Sequence, residues 1–96
     1  MVDTEAFDWD DANIEHIARH GVEPEEVEEA LLSPTRVLLF RRAVGDEARW
    51  TYAGETDEGR LIVVVHCRRA GRIRTVTARL PTETEARTWR RRNQTS

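Results

Sequence analysis

Lysine is missing from this chain: all fifteen basic residues are arginine. Guanidinium groups stay protonated, so no basic side chain other than histidine can accept a proton or act as an amine nucleophile. Cysteine occurs once, at Cys67. That excludes an internal disulfide and suits a reducing compartment, with Cys67 serving as a small buried hydrophobe. Long apolar stretches are lacking too. The longest unbroken run, residues 61–65, falls far short of the roughly 20 residues needed to cross a bilayer. The first thirty residues carry too many acids for a secretory signal. The expectation is one soluble, cytoplasmic domain over residues 1–96, frayed at 1–6 and 93–96, with an adequate but small core.

What the chain has in quantity is charge, unevenly distributed. Residues 1–30 hold eleven acids and one arginine, whereas residues 31–96 hold fourteen arginines and seven acids. The formal net charge of −3 therefore hides an acidic first third and a basic remainder. A basic sheet and C-terminal end suit a polyanion or an acidic partner.

The periodicity gives an α+β order of ααββββα. Phe7 and Trp9 precede a helix capped by Asp10, with Ile14, Ile17 and Ala18 as its apolar stripe and Gly21 as its stop. Asn13, His16 and His20 fall on the opposite side. Pro24 opens a second, glutamate-rich helix that turns Val27, Ala30 and Leu31 inward and ends at Ser33 and Pro34. From Arg36 the period shortens. Strands are predicted at residues 37–40 and 49–53, then at 61–67, an apolar run buried on both faces, and from Ile73 to Pro81. Thr82 and Glu85 form a capping box for a last helix, with Ala86 and Trp89 toward the sheet. The sheet is antiparallel and four-stranded, with helices mainly on one face.

A three-residue loop at Arg69, Ala70 and Gly71 would pair His66 with Arg74 and Arg68 with Arg72. In that register Leu61, Val63, Val65 and Cys67 lie beneath the helices with Ile73, Thr75 and Thr77. Arg74 and Arg79, five apart, then point to opposite faces unless a bulge or the strand end turns one of them.

The His16/His20 spacing could hold a metal on one helix face, but Ile17 stands where a zincin places its glutamate, and no third ligand is evident. No metal or cofactor is expected.

The segment from Trp9 to Leu31, then residues 48–65, then residues 73–79 with Glu85 and an aromatic at 89, together resemble the BrnT toxins of the RelE-like superfamily. The resemblance runs from about Phe7 to Trp89. Its most specific pieces are Trp9-Asp10, residues 19–22, Gly59-Arg60, Ile73-Arg74 and Ala78-Arg79. It implies a metal-independent endoribonuclease of a type II toxin–antitoxin module, neutralised by a BrnA-type antitoxin, possible in a higher-order toxin–antitoxin complex. Arg49, Arg60, Arg74 and Arg79 match basic positions of the family pattern. A lysine common near the start of that pattern is absent, Arg19 replaces another, and Trp89 stands for a tyrosine.

Metal-free RNA cleavage needs a base, an acid and cations for the phosphorane. His20, Arg49, Arg74 and Arg79 are assigned to catalysis, and Arg60, His66 and Arg68 to RNA contact. His20, His66 and Tyr52 are the acid–base candidates besides carboxylates. The alternative is a degenerate module that binds antitoxin or RNA through its arginines without cleaving. A convergent arginine cluster near a histidine favours the enzyme, and scattered arginines favour the binding module.

Overall fold

The computed structural model describes residues 6–94. Three helices, α1 (Asp11–Ala18), α2 (Pro24–Leu32) and α3 (Glu83–Gln94), accompany four strands, β1 (Val37–Val44), β2 (Glu47–Glu55), β3 (Leu61–Arg69) and β4 (Arg72–Arg79). The strands form an antiparallel meander in the order β1-β2-β3-β4. The α+β class and the order ααββββα are those expected. Of the termini expected to fray, residues 1–5 and 95–96 lie outside the described residues, and Asn93 sits in α3, bonded to the Thr35 carbonyl.

Helix α1 opens on a reciprocal cap: the Asn13 amide donates to Asp10 at 3.0 Å, and the Asp10 amide donates to the Asn13 side chain at 2.9 Å. Its rotation differs from the expected one. Asn13 and Ile17 are buried, while Ile14 and Ala18 face outward. The Asn13 amide group accounts for this, because it donates to the Asp8 carbonyl at 2.9 Å and so has partners inside that Ile14 would not use. The helix ends at Ala18, and the Val22 amide closes back on the Ile17 carbonyl with Gly21 at φ +73°. His20 therefore lies in the closing turn rather than in the last helical turn.

One sheet face holds the main core. Ile62, Val64 and Ala78 pack with Phe7, Ile17, Val22, Val27, Ala30 and Leu31, all buried. The other face has its own small core. Val63 pairs with Ala53, and Ala53 with Val37, so these three share a side, and all three are buried. Arg79 pairs with Val63 and its guanidinium reaches Glu85, which puts α3 over that side. Residues 62–64 are thus covered twice, as the apolar run implied.

The β3–β4 register corrects the expected one. Arg69 pairs with Arg72, leaving Ala70 and Gly71 as a two-residue turn at φ +53° and +78°. Positive φ at both positions is the turn that matches strand twist. Arg68 then faces Ile73, and Cys67 faces Arg74. The face assignment of β3 inverts as a result: Ile62 and Val64 lie under α1 and α2, not Leu61, Val63 and Val65. Between Val65↔Thr77 and His66↔Thr75 the register shifts, leaving Val76 as a bulge.

Candidate functional site

The bulge at Val76 decides which arginines meet. Arg74 pairs with Cys67 and Arg79 with Val63, both odd positions of β3, so the two arginines share a face despite being five apart. Arg49 of β2 lies on that face as well, next to Trp50, which pairs with His66 on the other side. Arg49, Arg74, Glu47, Cys67 and His16 line one open cleft of about 370 Å³. Arg79 extends the same face toward α3.

Each of these arginines is held by a carboxylate. Arg49 Nε lies 2.9 Å from Glu47, and Arg74 Nη1 lies 2.9 Å from Asp10 and 3.5 Å from Asp8. Arg79 donates two parallel bonds to Glu85, at 2.7 and 2.9 Å. The acids respond accordingly. The Arg74 guanidinium holds the Asp10 carboxyl below its ordinary range, and Arg49 does the same to Glu47. Burial, with Glu47 beside it, pushes the Cys67 thiol up. The Arg74 side chain is only 15% exposed, so it is oriented rather than waving in solvent.

Glu85 is the most perturbed of these groups. Arg79 and the Thr82 amide hold its carboxyl down to about 2, against 4.5 in the ordinary case. The same side chain completes the α3 cap, accepting from the Thr82 amide at 2.8 Å. A folded carboxyl that stays charged to about pH 2 contributes stability fully above 4.5, and loses that contribution as pH falls toward 2. Glu85→Gln is therefore expected to be less stable than the parent at neutral pH, with the difference shrinking under acid. Urea unfolding at about pH 7 and about pH 3 checks it, and an equal difference at both would refute the linkage.

One histidine lines the cleft, and a second packs against its ring. His16 Nε2 lies 3.2 Å from Thr77 Oγ1 on β4, and the His20 ring meets the His16 ring edge-on at 5.6 Å. The remaining assigned residues lie elsewhere. His66 and Arg68 are on the α2 side of the sheet, with His66 buried between Trp50 and Tyr52 at 5.5 and 5.7 Å. Arg60 is at the opposite end, bonded to Glu26 and to the Gly21 carbonyl, where it ties β3 to α2 and the α1–α2 turn. Thus Arg49, Arg74 and Arg79 share one face, His20 reaches it only through the His16 ring, and Arg60, His66 and Arg68 do not join them. His16, Glu47, Asp8 and Asp10 were not foreseen as parts of the site. The His16/His20 spacing is the one signal of it in the sequence, where it reads as falling short of a metal site. Among the described residues, no group of three or more His, Cys, Asp or Glu could hold a metal ion.

Guanidinium forks oriented on an open sheet face have the geometry and sign to meet phosphate oxygens. The family model described as the ribonuclease toxin BrnT of type II toxin–antitoxin systems matches residues 9–85. The chain belongs to that family. No curated protein matches the chain. Membership makes an antitoxin its partner, and no helix among the described residues is long and apolar enough to cross a membrane.

Proposed function

We propose that the chain is an endoribonuclease that cleaves by attack of a ribose 2′-hydroxyl on the adjacent phosphorus. The O2′–P bond forms and the P–O5′ bond breaks, leaving a 2′,3′-cyclic phosphate and a 5′-hydroxyl end. Charge accumulates on the phosphorane oxygens, and guanidinium forks match them in geometry and sign. The observation that carries this reading is the bulge at Val76, which turns Arg74 and Arg79 to one face beside Arg49. His16 lines that face with His20 against its ring, and the two supply the proton exchange, one imidazole taking the 2′ proton and the other protonating the leaving oxygen. A BrnA-type antitoxin, a higher-order complex and a cytoplasmic location belong to the same reading.

A second reading has its own support. Arg49, Arg74 and Arg79 each already have a carboxylate partner, as a surface built only to bind would also allow. A labelled RNA oligonucleotide separates the two. Cleavage is expected to proceed in EDTA and to leave cyclic-phosphate ends. Activity lost in EDTA and restored by zinc or magnesium would overturn the mechanism, and intact RNA under all conditions would establish the binding module.

A further inference from the structure

The sheet side away from the arginine cleft carries a second recess, of about 230 Å³, between the C-terminal end of α2 and the strands. Tyr52 and Ile73 floor it, Leu32 stands at its mouth, and Arg36 and Arg68 are on its rim. Leu32 is 52% exposed, and Leu38, which pairs with Tyr52 and so shares its side, is 37% exposed. We propose that this groove docks an acidic, amphipathic segment of the antitoxin, an apolar side chain of that segment filling it. The proposal rests on the toxin reading for its partner and assigns that partner a face opposite to the one that meets RNA.

Three observations carry it. Charge is the first. Arg49, Arg74 and Arg79 are each paired with a carboxylate, whereas among the described residues neither Arg36 nor Arg68 is in an ion pair, and no carboxylate lines the groove. Two uncompensated cations around an apolar floor call for acids brought from outside. The second is an unsatisfied donor–acceptor. His66 lines the groove with 6% exposure, and its Nδ1 is buried with no hydrogen-bond partner. A peptide group entering the groove would relieve that cost. The third is that large apolar side chains at the groove mouth remain in water, as they do at sites that another protein covers.

The same features argue against other occupants. An RNA base would need a free aromatic face, and the rings here are already engaged: His66 stacks between Trp50 and Tyr52, and Arg41 lies 5.5 Å over Trp50. A second copy could offer acids from α2, but Glu23, Glu25, Glu26 and Glu29 surround no apolar side chain able to enter the groove.

The test uses the full chain, the antitoxin encoded with it, and the double variant Leu32→Glu, Arg36→Glu. Its affinity for the antitoxin is expected to fall by about tenfold or more, since a central apolar anchor and a rim cation are both reversed. Produced alone, the variant should arrest growth as the parent does, but the antitoxin should no longer rescue the cells. Arg74→Ala should keep antitoxin affinity within about threefold of the parent, since Arg74 lies on the other face. Unchanged affinity in the folded double variant would overturn the proposal, as would loss of affinity in Arg74→Ala instead. A double variant that loses binding to a short RNA oligonucleotide but keeps the antitoxin would reassign the groove to RNA. A parent dimer that becomes monomeric in the variant, by sedimentation, would reassign it to self-association. Should the double variant fail to fold by circular dichroism, Leu32→Ser carries the test, with about a fivefold loss expected and parental affinity overturning the proposal. Absence of growth arrest by the parent would count against the toxin reading, whereas antitoxin affinity tests the groove independently.

Discussion

Arg74→Ala is expected to lower RNA cleavage by about 10²- to 10³-fold while leaving the domain folded, a loss comparable to removing one preorganised donor from a developing oxyanion. The guanidinium lies in the cleft with Arg49 and is fixed from behind by Asp10 at 2.9 Å and Asp8 at 3.5 Å. That anchoring leaves its remaining N–H groups in a set direction before RNA arrives, which is what makes a cation worth more to the transition state than to the ground state. Truncation removes a half-buried cation from the cleft and no volume from the hydrophobic core. The α1 cap survives it, because Asp10 still accepts from the Asn13 amide. Single-turnover cleavage, with circular dichroism as the folding control, checks the expectation. Arg74→Lys should recover only part of the loss, since an ammonium cannot reproduce the fork. Activity within about threefold of the parent would remove Arg74 from the mechanism.

How much of this was legible in the sequence follows from where the information lay. The class and the order of elements came from period changes and caps, and those are local: Asp10, Pro24, Thr82 and Glu85 each act within one turn of themselves. The face of β3 was not legible. Leu61 to Val65 are apolar at every position, and such a run, covered on both sides, has no alternation to read. Its register therefore hung on the hairpin turn, and Ala70 at φ +53° is a conformation that alanine seldom signals. One residue of error there exchanged the two faces of the strand. The expected pairing of His66 with Arg74 failed for that reason, and a helix-covered Cys67 failed with it. The bulge was anticipated only as a condition under which Arg74 and Arg79 could meet, and Val76 satisfies it. Carboxylate partners such as Asp8 and Asp10 come from more than sixty positions away in the chain, a distance at which pattern reading has no purchase. Arg60 shows the converse. Its place in the family pattern suggested RNA, but its contacts are with Glu26 and the Gly21 carbonyl, a structural tie across the main core.

The largest effect on stability is expected from Gly54→Ala, a single methyl on a strand. Gly54 lies in β2 directly beneath α2, and a Cβ built there would sit 2.2 Å from the Ala30 carbonyl oxygen and 2.9 Å from its carbon. Both neighbours are backbone, so no side chain can swing aside to make room. Relief requires α2 to lift from the sheet, and Val27, Ala30 and Leu31 would lift with it from Ile62 and Val64. Overpacking of a well-filled core costs about 1–3 kcal/mol and more where backbone must move, so a loss of about 3 kcal/mol is expected. In a domain of this size that lowers the melting midpoint by about 12–24 °C. Gly45→Ala is the informative comparison. Its Cβ meets nothing within 4 Å, and only φ +63° opposes it, which costs on the order of 1 kcal/mol. Close approach and backbone strain are the two reasons a glycine is needed, and these positions separate them. Chemical denaturation of both variants decides the matter. Gly54→Ala no less stable than Gly45→Ala would mean that α2 is seated more loosely on the sheet than these contacts indicate.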